Sequence, residues 1–417
     1  MKSQKSLGEK YKMNPLLISG FGTSINVDKR KLVVTNRLKK SRLEFNPHQI
    51  EHDSIIIDGH TGQITFESMR WLMKHNIHLT LLNWDGNLLA TTLPDQTISG
   101  KLRLAQYQKH LDESVRYNIA KEIVASKVDS SLNLLEELSK YYSIDCTEIQ
   151  SRFKSEFAKF EQKSAQNTHK IPEIMSHEAW IAKIYFEYLR VIFSKLAPQF
   201  SFEARASFDH KRADHAADEI NALLNYGYSI LASEIKKSLN SVGLDPQIGF
   251  LHETLLSRTP LVYDCQELFR WLIDLSVIEL LEDNKLKKSD FILTENYHIR
   301  LKPATAKLLV DKIKSNFNLK VKYGIKYFAY QNILYSNISQ LAQFIAGKKK
   351  TLEISVPSIT INRDDNLELR EKILALSPEQ RKRLGINKST LWYLKKNVRS
   401  KNKIKIYDKI LGKLETI

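Results

Sequence analysis

Cysteine is nearly absent from this chain of 417 residues: Cys146 and Cys265 stand alone, too few for a disulfide framework or a thiolate metal site. Glycine and proline are sparse, at 14 and 10, which excludes collagen-like and low-complexity architectures. No stretch approaches the roughly 18 uninterrupted apolar residues of a membrane span. Met1 to Met13 lacks the apolar segment of a secretory signal, so a cytoplasmic, reducing location with no membrane association is expected. Acidic side chains are outnumbered, 47 Asp plus Glu against 64 Lys plus Arg, for a net charge of +17. Such an excess speaks of partners rather than fold: nucleic acid is the leading polyanion, an anionic membrane surface the alternative. Hydrophobic residues still reach 42%, enough for globular cores, and the length suggests two to four domains.

The expected class is α+β and multidomain. Residues 1–12 read as a flexible polar extension. Residues 13–98 read as a β-rich domain, with short apolar runs at 15–18, 31–34 and 54–58 bounded by Gly, Asn or Asp. One helix interrupts it, opening at Thr65 with Met69, Leu72 and Met73 on one face. Strands at 78–82 and 88–92 follow, and Asp85-Gly86-Asn87 between them carries hairpin chemistry. From Ser99 the period changes to that of a helix, with Leu102, Leu104, Tyr107 and Leu111 opening a series of amphipathic helices. The clearest span 119–127, 132–142, 177–196, 219–239, 265–280 and 303–317, so 99–346 is expected to be an all-α catalytic domain. After a linker at 347–364 the composition shifts: residues 346–417 hold 18 Lys/Arg against 8 Asp/Glu. Within 365–417, Ser377-Pro378-Glu379-Gln380 has the residues of a capping box, Gly385 a turn, and Asn387 a cap for a helix at 388–399. That is a helix-turn-helix pattern, followed by Lys401, Lys403 and Lys405. No repeat at periods of about 20–50 residues is evident.

The densest chemistry lies in the helical region. Glu178 opens an apolar helix, His252 and Glu253 follow Gly249-Phe250-Leu251, and Asp264 and Glu267 are spaced to share a helix face. Carboxylates and an imidazole converging in a basic protein suit a hard divalent cation, Mg²⁺ or Mn²⁺. Each also has an ordinary reading: a glutamate favours a helix N-terminus by its charge, and a lone histidine among apolar residues is commonly a hydrogen-bonded core group. The rival cluster from Asp209 to Asp218 has the residues for metal but also reads as a solvated linker, with Lys211 and Arg212 as phosphate contacts. Serine-hydrolase chemistry finds no G-x-S-x-G elbow.

Four blocks taken together carry a resemblance. Asp218 to Tyr228, D-E-I-N-A-L-L-N-Y-G-Y, resembles the D-P-x-N-A-L-L-x-x-G-Y helix start of the CRISPR spacer-acquisition integrases. Gly243-Leu244-Asp245-Pro246 with Gly249 to Glu253 is similar to their G-L-D-P-x-x-G-x-L-H segment. Tyr263 to Arg270 is similar to L-D-L-x-E-x-F-R, and Glu178 to Phe186 to E-G-x-A-x-x-Y-F. Residues 13–346 thus resemble a metal-dependent DNA integrase with an N-terminal β-domain and a C-terminal α-domain. Carried over residue by residue, its catalytic metal ligands fall on Glu178, His252 and Glu267. Two positions depart from the pattern: Ala179 replaces the glycine after the catalytic glutamate, and Glu219 replaces the proline after Asp218.

The basic tail, with Leu384 to Tyr393, resembles that of casposases, transposon-encoded relatives of those integrases. The resemblance implies strand transfer, in which a DNA 3′-hydroxyl attacks a phosphodiester directly, with nicking as a side reaction when water attacks. Arg205, Lys211, Arg212, Arg258 and Arg270 are then expected to share phosphate charge, with Tyr185 and Asn221 lining the site. Lys388, Ser389, Thr390, Lys395, Lys396 and Arg399 are expected to meet duplex DNA. Partners are double-stranded DNA, both element ends and target, and further copies of the chain as a homodimer or larger assembly. The alternatives are a CRISPR integrase working with a small dimeric partner, and a non-enzymatic DNA-binding regulator.

Overall fold

A computed structural model describes residues 12–19, 22–59, 61–83, 85–92, 100–145, 147–165, 170–202, 216, 218–252, 259–283, 286–294, 299–324, 326–354, 356–357, 359, 361, 373–374 and 376–399. The extension at 1–11, Cys146 and the lysines beyond 400 fall outside them.

The N-terminal elements are β1 (Pro15–Ser19), β2 (Thr23–Asp28), β3 (Lys31–Asn36), β4 (Ser41–Phe45), β5 (Ser54–Asp58), β6 (Gly62–Ile64), α1 (Phe66–Lys74), β7 (His78–Leu82) and β8 (Leu88–Thr92). They form two four-stranded sheets, ordered β1-β5-β7-β8 and β4-β3-β2-β6. In the first, β5 lies parallel to β1 and β7, and β8 returns antiparallel. The return uses the expected turn: Gly86 adopts φ 83°, and the Asp85 carboxylate accepts from the Asn87 N–H at 2.9 Å. α1 starts where Thr65 caps the Ser68 N–H at 3.1 Å. Its Trp71 and Leu72 join a core made of Ile18, Ile55 and Leu79 from one sheet and Ile25, Leu32 and Val34 from the other.

The helical region comprises α2 (Gly100–Leu111), α3 (Glu113–Tyr142), α4 (Thr147–Ala165), α5 (Ile171–Leu196), α6 (Glu219–Val242), α7 (Pro260–Glu267), α8 (Arg270–Asp283), α9 (Pro303–Phe317) and α10 (Tyr330–Ile345). It is not purely helical. Two short antiparallel hairpins interrupt it: β9 (Phe291–Leu293) with β10 (Ile299–Leu301), and β11 (Lys320–Tyr323) with β12 (Lys326–Ala329). Each strand is too short for period-2 alternation to register. The expected segments 119–127 and 132–142 fuse into the single helix α3. No glycine or proline separates them, and Ser130 returns its hydroxyl to the Lys127 carbonyl at 3.0 Å. The expected helix at 265–280 is instead broken after Glu267, where the Leu268 and Phe269 N–H groups reach back only three residues. The face expected of α2 is also inverted: Leu104 and Leu111 stay 61% and 78% exposed, whereas Gln106 is buried.

α6 is the axis of this region, buried on nearly all sides and carrying buried polar groups among its apolar ones. It meets the first sheet through polar contacts. The Lys237 ammonium lies 2.6 Å from Asp53 and 2.7 Å from Glu234, the Thr80 and Ser233 hydroxyls are 2.6 Å apart, and the Tyr226 hydroxyl donates to Asp58. His78 borders this network, and burial, together with the Lys237 charge, pushes its imidazole from 6.5 down to about 4. The unfolded chain therefore binds a proton between those values that the folded protein refuses, and stability falls as pH drops through that window. Wild-type protein is expected to lose about 2 kcal/mol between pH 7 and pH 4.5 from this group alone. Denaturant unfolding at both pH values checks it: His78→Leu should lack that increment, and equal losses in the two proteins would sink the assignment.

Residues up to Ile359, apart from 137–144, make one compact unit, and Glu137–Ile144 with 360–417 make a second. In the second, α11 (Pro378–Arg383) begins with the expected capping box, Ser377 and Gln380 each accepting the other's backbone N–H. Gly385 turns the chain at φ 63°. Asn387 then caps α12 (Lys388–Arg399) by accepting from the Thr390 N–H at 2.7 Å. Leu391 and Leu394 are buried, whereas Trp392 stays exposed. Among the described residues no helix is long and apolar enough to cross a membrane.

Candidate active site

Glu178 lies in the second turn of α5, beside the buried face formed by Ile174, His177, Ile181 and Tyr185. Glu267 ends α7, and the break after it lets Arg270 return to Glu267 at 3.0 Å. His252 belongs to a loop rather than a helix, and Asp264 shapes that loop. The Asp264 carboxylate is wholly buried and accepts backbone N–H groups from Phe250 at 2.5 Å, Leu251 at 3.1 Å and His252 at 3.0 Å. It also binds His252 Nδ1 at 2.8 Å. Gly249 is required by this closeness: a Cβ there would fall 2.6 Å from Pro260 Cβ and 2.9 Å from Asp264 Oδ2.

The outer side of the loop is tied to α2 and α3. His110 Nδ1 lies 2.6 Å from the Gly249 carbonyl, Arg116 donates to the Phe250 carbonyl at 2.9 Å, and Gln106 bridges Asp245 and Ile248. Sequence spacing placed Asp264 and Glu267 on one face as companion carboxylates. In the structure their tasks separate: Asp264 is saturated by backbone and imidazole, while Glu267 faces the site.

What joins Glu178 to Glu267 is Lys127 of α3. Its Nζ contacts Glu178 Oε1 and stands 2.6 Å from Glu267 Oε2. Burial works against the Glu267 charge, but Arg270 and Lys127, with His252 beyond them, hold its carboxyl far below the usual range. For His252, burial again opposes charge, and the Asp264 hydrogen bond together with the Asp264 and Glu267 charges raises the imidazole above its ordinary value. His252 thus pairs directly with Asp264 and feels the charges of Glu267 and Lys127. Among the described residues no group of three His, Cys, Asp or Glu side chains is drawn together as a ready metal cage. The Lys127 ammonium stands as a cation between two of the three candidate donors, and two carboxylates plus an imidazole nitrogen form a donor set suited to a hard divalent ion.

The remaining expected residues divide. Arg270 lies over the Tyr228 ring, 4.5 Å from its centroid. Asp274 accepts the Tyr228 hydroxyl and, at 2.7 Å, the Tyr185 hydroxyl; burial and the Asp274 charge lift the Tyr185 phenol well above its ordinary value, so it acts as a donor and not as a phenolate. Asn221 is at the start of α6, where its backbone and side-chain nitrogens both donate to Asp218. Arg205, Lys211, Arg212, Glu253 and Arg258 lie outside the described residues, as do 209–215 and 217 of the rival Asp/His cluster. Lys388 and Ser389 are exposed at the start of α12. Lys395 donates to the Leu376 carbonyl at 3.1 Å, and Lys396 lies over the Trp392 ring. Lys127, Gln106, His110 and Arg116 were not singled out by sequence. The apolar Ile123, Val124 and Val128 around Lys127 hint at an inward face, but Asp129 and Glu122 nearby make the segment read equally as a solvated one.

Residues 16–315 match the family model of the CRISPR associated protein Cas1. The chain belongs to the Cas1 family. A solved casposase bound to integration product is similar at 34% identity with a TM-score of 0.74, over 87% of this chain and 99% of that one. The Archaeoglobus fulgidus CRISPR-associated endonuclease Cas1 1 is 24% identical over 344 residues, 80% of this chain and 97% of that protein. A Cas1 protein from Thermotoga maritima shares the fold, with a TM-score of 0.66 at 17% identity over 82% of this chain and all of the other. As a casposase-like Cas1 protein, the chain carries the expected order of an N-terminal β region and a large helical region.

Proposed function

We propose that this Cas1 protein is a casposase-type DNA integrase that joins DNA 3′-hydroxyl ends to target DNA by transesterification, with nicking as a side activity. The observation that carries the reading is the Lys127 ammonium held between Glu178 and Glu267, with the imidazole of His252 oriented by Asp264. These three residues would hold Mg²⁺ or Mn²⁺. When bound, the ion supplies polarisation of the scissile phosphate and stabilisation of the departing 3′-oxygen. Asp264 holds the Nδ1 side of His252 and leaves Nε2 as the ligand nitrogen, the usual division for a metal-binding histidine. Arg270 fixes Glu267 in orientation. No protein nucleophile is needed, consistent with Cys265, whose thiol burial lifts well above its ordinary value. Arg205, Lys211, Arg212 and Arg258 would neutralise phosphates. A duplex with a free 3′-hydroxyl, offered to supercoiled plasmid with Mn²⁺, tests the reading.

The C-terminal helices are proposed as a helix-turn-helix that docks duplex DNA, with α12 in the major groove. Lys388, Ser389 and Thr390 would meet base edges, and Lys395, Lys396 and Arg399 phosphates. Truncation after Pro357 is expected to weaken duplex binding and flatten its salt dependence by roughly one unit of log–log slope per lost phosphate contact. Fluorescence anisotropy across a salt series reads both quantities, and an unchanged slope would remove DNA binding from this segment.

The names of the curated relatives favour a second reading, a CRISPR spacer-acquisition integrase that works with a small dimeric partner. The purified chain acting alone separates the two. Unaided joining supports the casposase reading, and joining that appears only with such a partner supports the other. A homodimer or larger assembly on DNA fits both.

A further inference from the structure

Lys127 sits in α3 beside Val124 and Val128, both fully buried, and its side chain is 14% exposed. An ammonium in such a place needs counter-charge. It finds two carboxylates from different helices, Glu178 of α5 and Glu267 of α7. Glu267 has Arg270 on its other oxygen, whereas Lys127 is the ion-pair partner of Glu178 among the described residues.

We propose that Lys127 is a placeholder cation, which holds Glu178 and Glu267 together in the metal-free protein and withdraws when a divalent ion takes its position. The proposal rests on the metal-site reading above. An ammonium and a divalent ion cannot both occupy the space within ion-pair distance of the same two oxygens, because the two cations repel at short range. Without any cation the two carboxylates repel each other, and α5 and α7 lose the bridge that sets their ligands in register. The flexible four-carbon stem of lysine lets the charge move aside while the stem stays packed. Lys127 is thus a positioning residue, and its departure is a built-in competitor for metal.

Calorimetric titration of the metal-free, full-length protein with Mn²⁺ tests this. Lys127→Met is expected to bind Mn²⁺ about tenfold more tightly or better, since the competing charge is gone. Lys127→Arg should keep the weaker affinity of wild type. A lysine that only held the carboxylates together, without competing for the ion's position, gives the opposite sign, because splayed carboxylates bind Mn²⁺ less well. Equal or weaker binding by Lys127→Met overturns the proposal. Should that variant fail to fold, a crystal of wild type soaked in Mn²⁺ decides: an anomalous peak between Glu178 and Glu267, with Nζ displaced from at least one of them, is expected. Mn²⁺ bound at these residues with Nζ still bridging both carboxylates overturns the placeholder and leaves the metal site standing. Absence of Mn²⁺ binding in all three proteins overturns the metal reading and the placeholder with it.

Discussion

Glu178→Ala is expected to lose strand joining and nicking by roughly a thousandfold or more, as when one member of a catalytic unit is removed. The same protein should keep duplex affinity within about threefold, because phosphate neutralisation by many basic side chains supplies most of the binding. Glu178 is 23% exposed, so its loss leaves no large cavity, and unfolding is not expected to account for the effect. Glu178 also neutralises Lys127, and a cation freed from one of its carboxylates remains paired with Glu267 at 2.6 Å. A plasmid-joining assay run beside anisotropy on the same preparations separates chemistry from binding. Joining at the wild-type rate by Glu178→Ala would take Glu178 out of the site, and a parallel collapse of duplex affinity would recast it as a structural residue.

Asp264→Ala is expected to cost stability as well as activity. Removing its carboxylate strands the N–H groups of Phe250, Leu251 and His252, which it now accepts at 2.5 to 3.1 Å. At about 1 kcal/mol or more for each buried unsatisfied donor, the loss amounts to about 3 kcal/mol or more. The loop cannot move inward to compensate, because Gly249 is already packed against Pro260. The imidazole of His252 also loses the partner that fixes its ring, for which a fall of roughly 10–100-fold in Mn²⁺ affinity is the common consequence. Asp264→Asn keeps one accepting oxygen and should fall between. Chemical denaturation and Mn²⁺ calorimetry measure the two losses. If Asp264→Ala matches wild type in both, Asp264 neither holds the loop nor orients His252.

The strands that sequence patterning identified were those with dense apolar runs, such as β5, where Ile55 and Ile56 are fully buried. β2 was missed because Asn26 separates Ile25 from Val27 and breaks the short run of apolar residues, and β4 because it is largely exposed along its length. Helix breaks were harder to read than helices. No residue in Leu268-Phe269 signals an interruption, and what surrounds it is tertiary: Gln266, just before the break, donates to the Tyr228 carbonyl at 2.8 Å. Glu178, His252 and Glu267 stand out as candidates because whole blocks of residue types around them resemble the family's pattern. Lys127 does not, since a lysine on a long helix is ordinarily a solvated charge, and only the packing of α3, α5 and α7 turns it inward. The purpose of Asp264 was likewise hidden: spacing along one helix cannot show that a carboxylate spends its oxygens on a loop twelve residues upstream.

The most direct test of the account is strand joining by the purified chain alone, with Mn²⁺, a labelled duplex carrying the element's ends, and supercoiled target plasmid. Covalent transfer of label to the plasmid is expected when the duplex ends in a 3′-hydroxyl, and none when it ends in a 3′-dideoxynucleotide or when Glu178 is alanine. Transfer that persists with the dideoxy end, or plasmid nicking with no label joined under any condition, would contradict it.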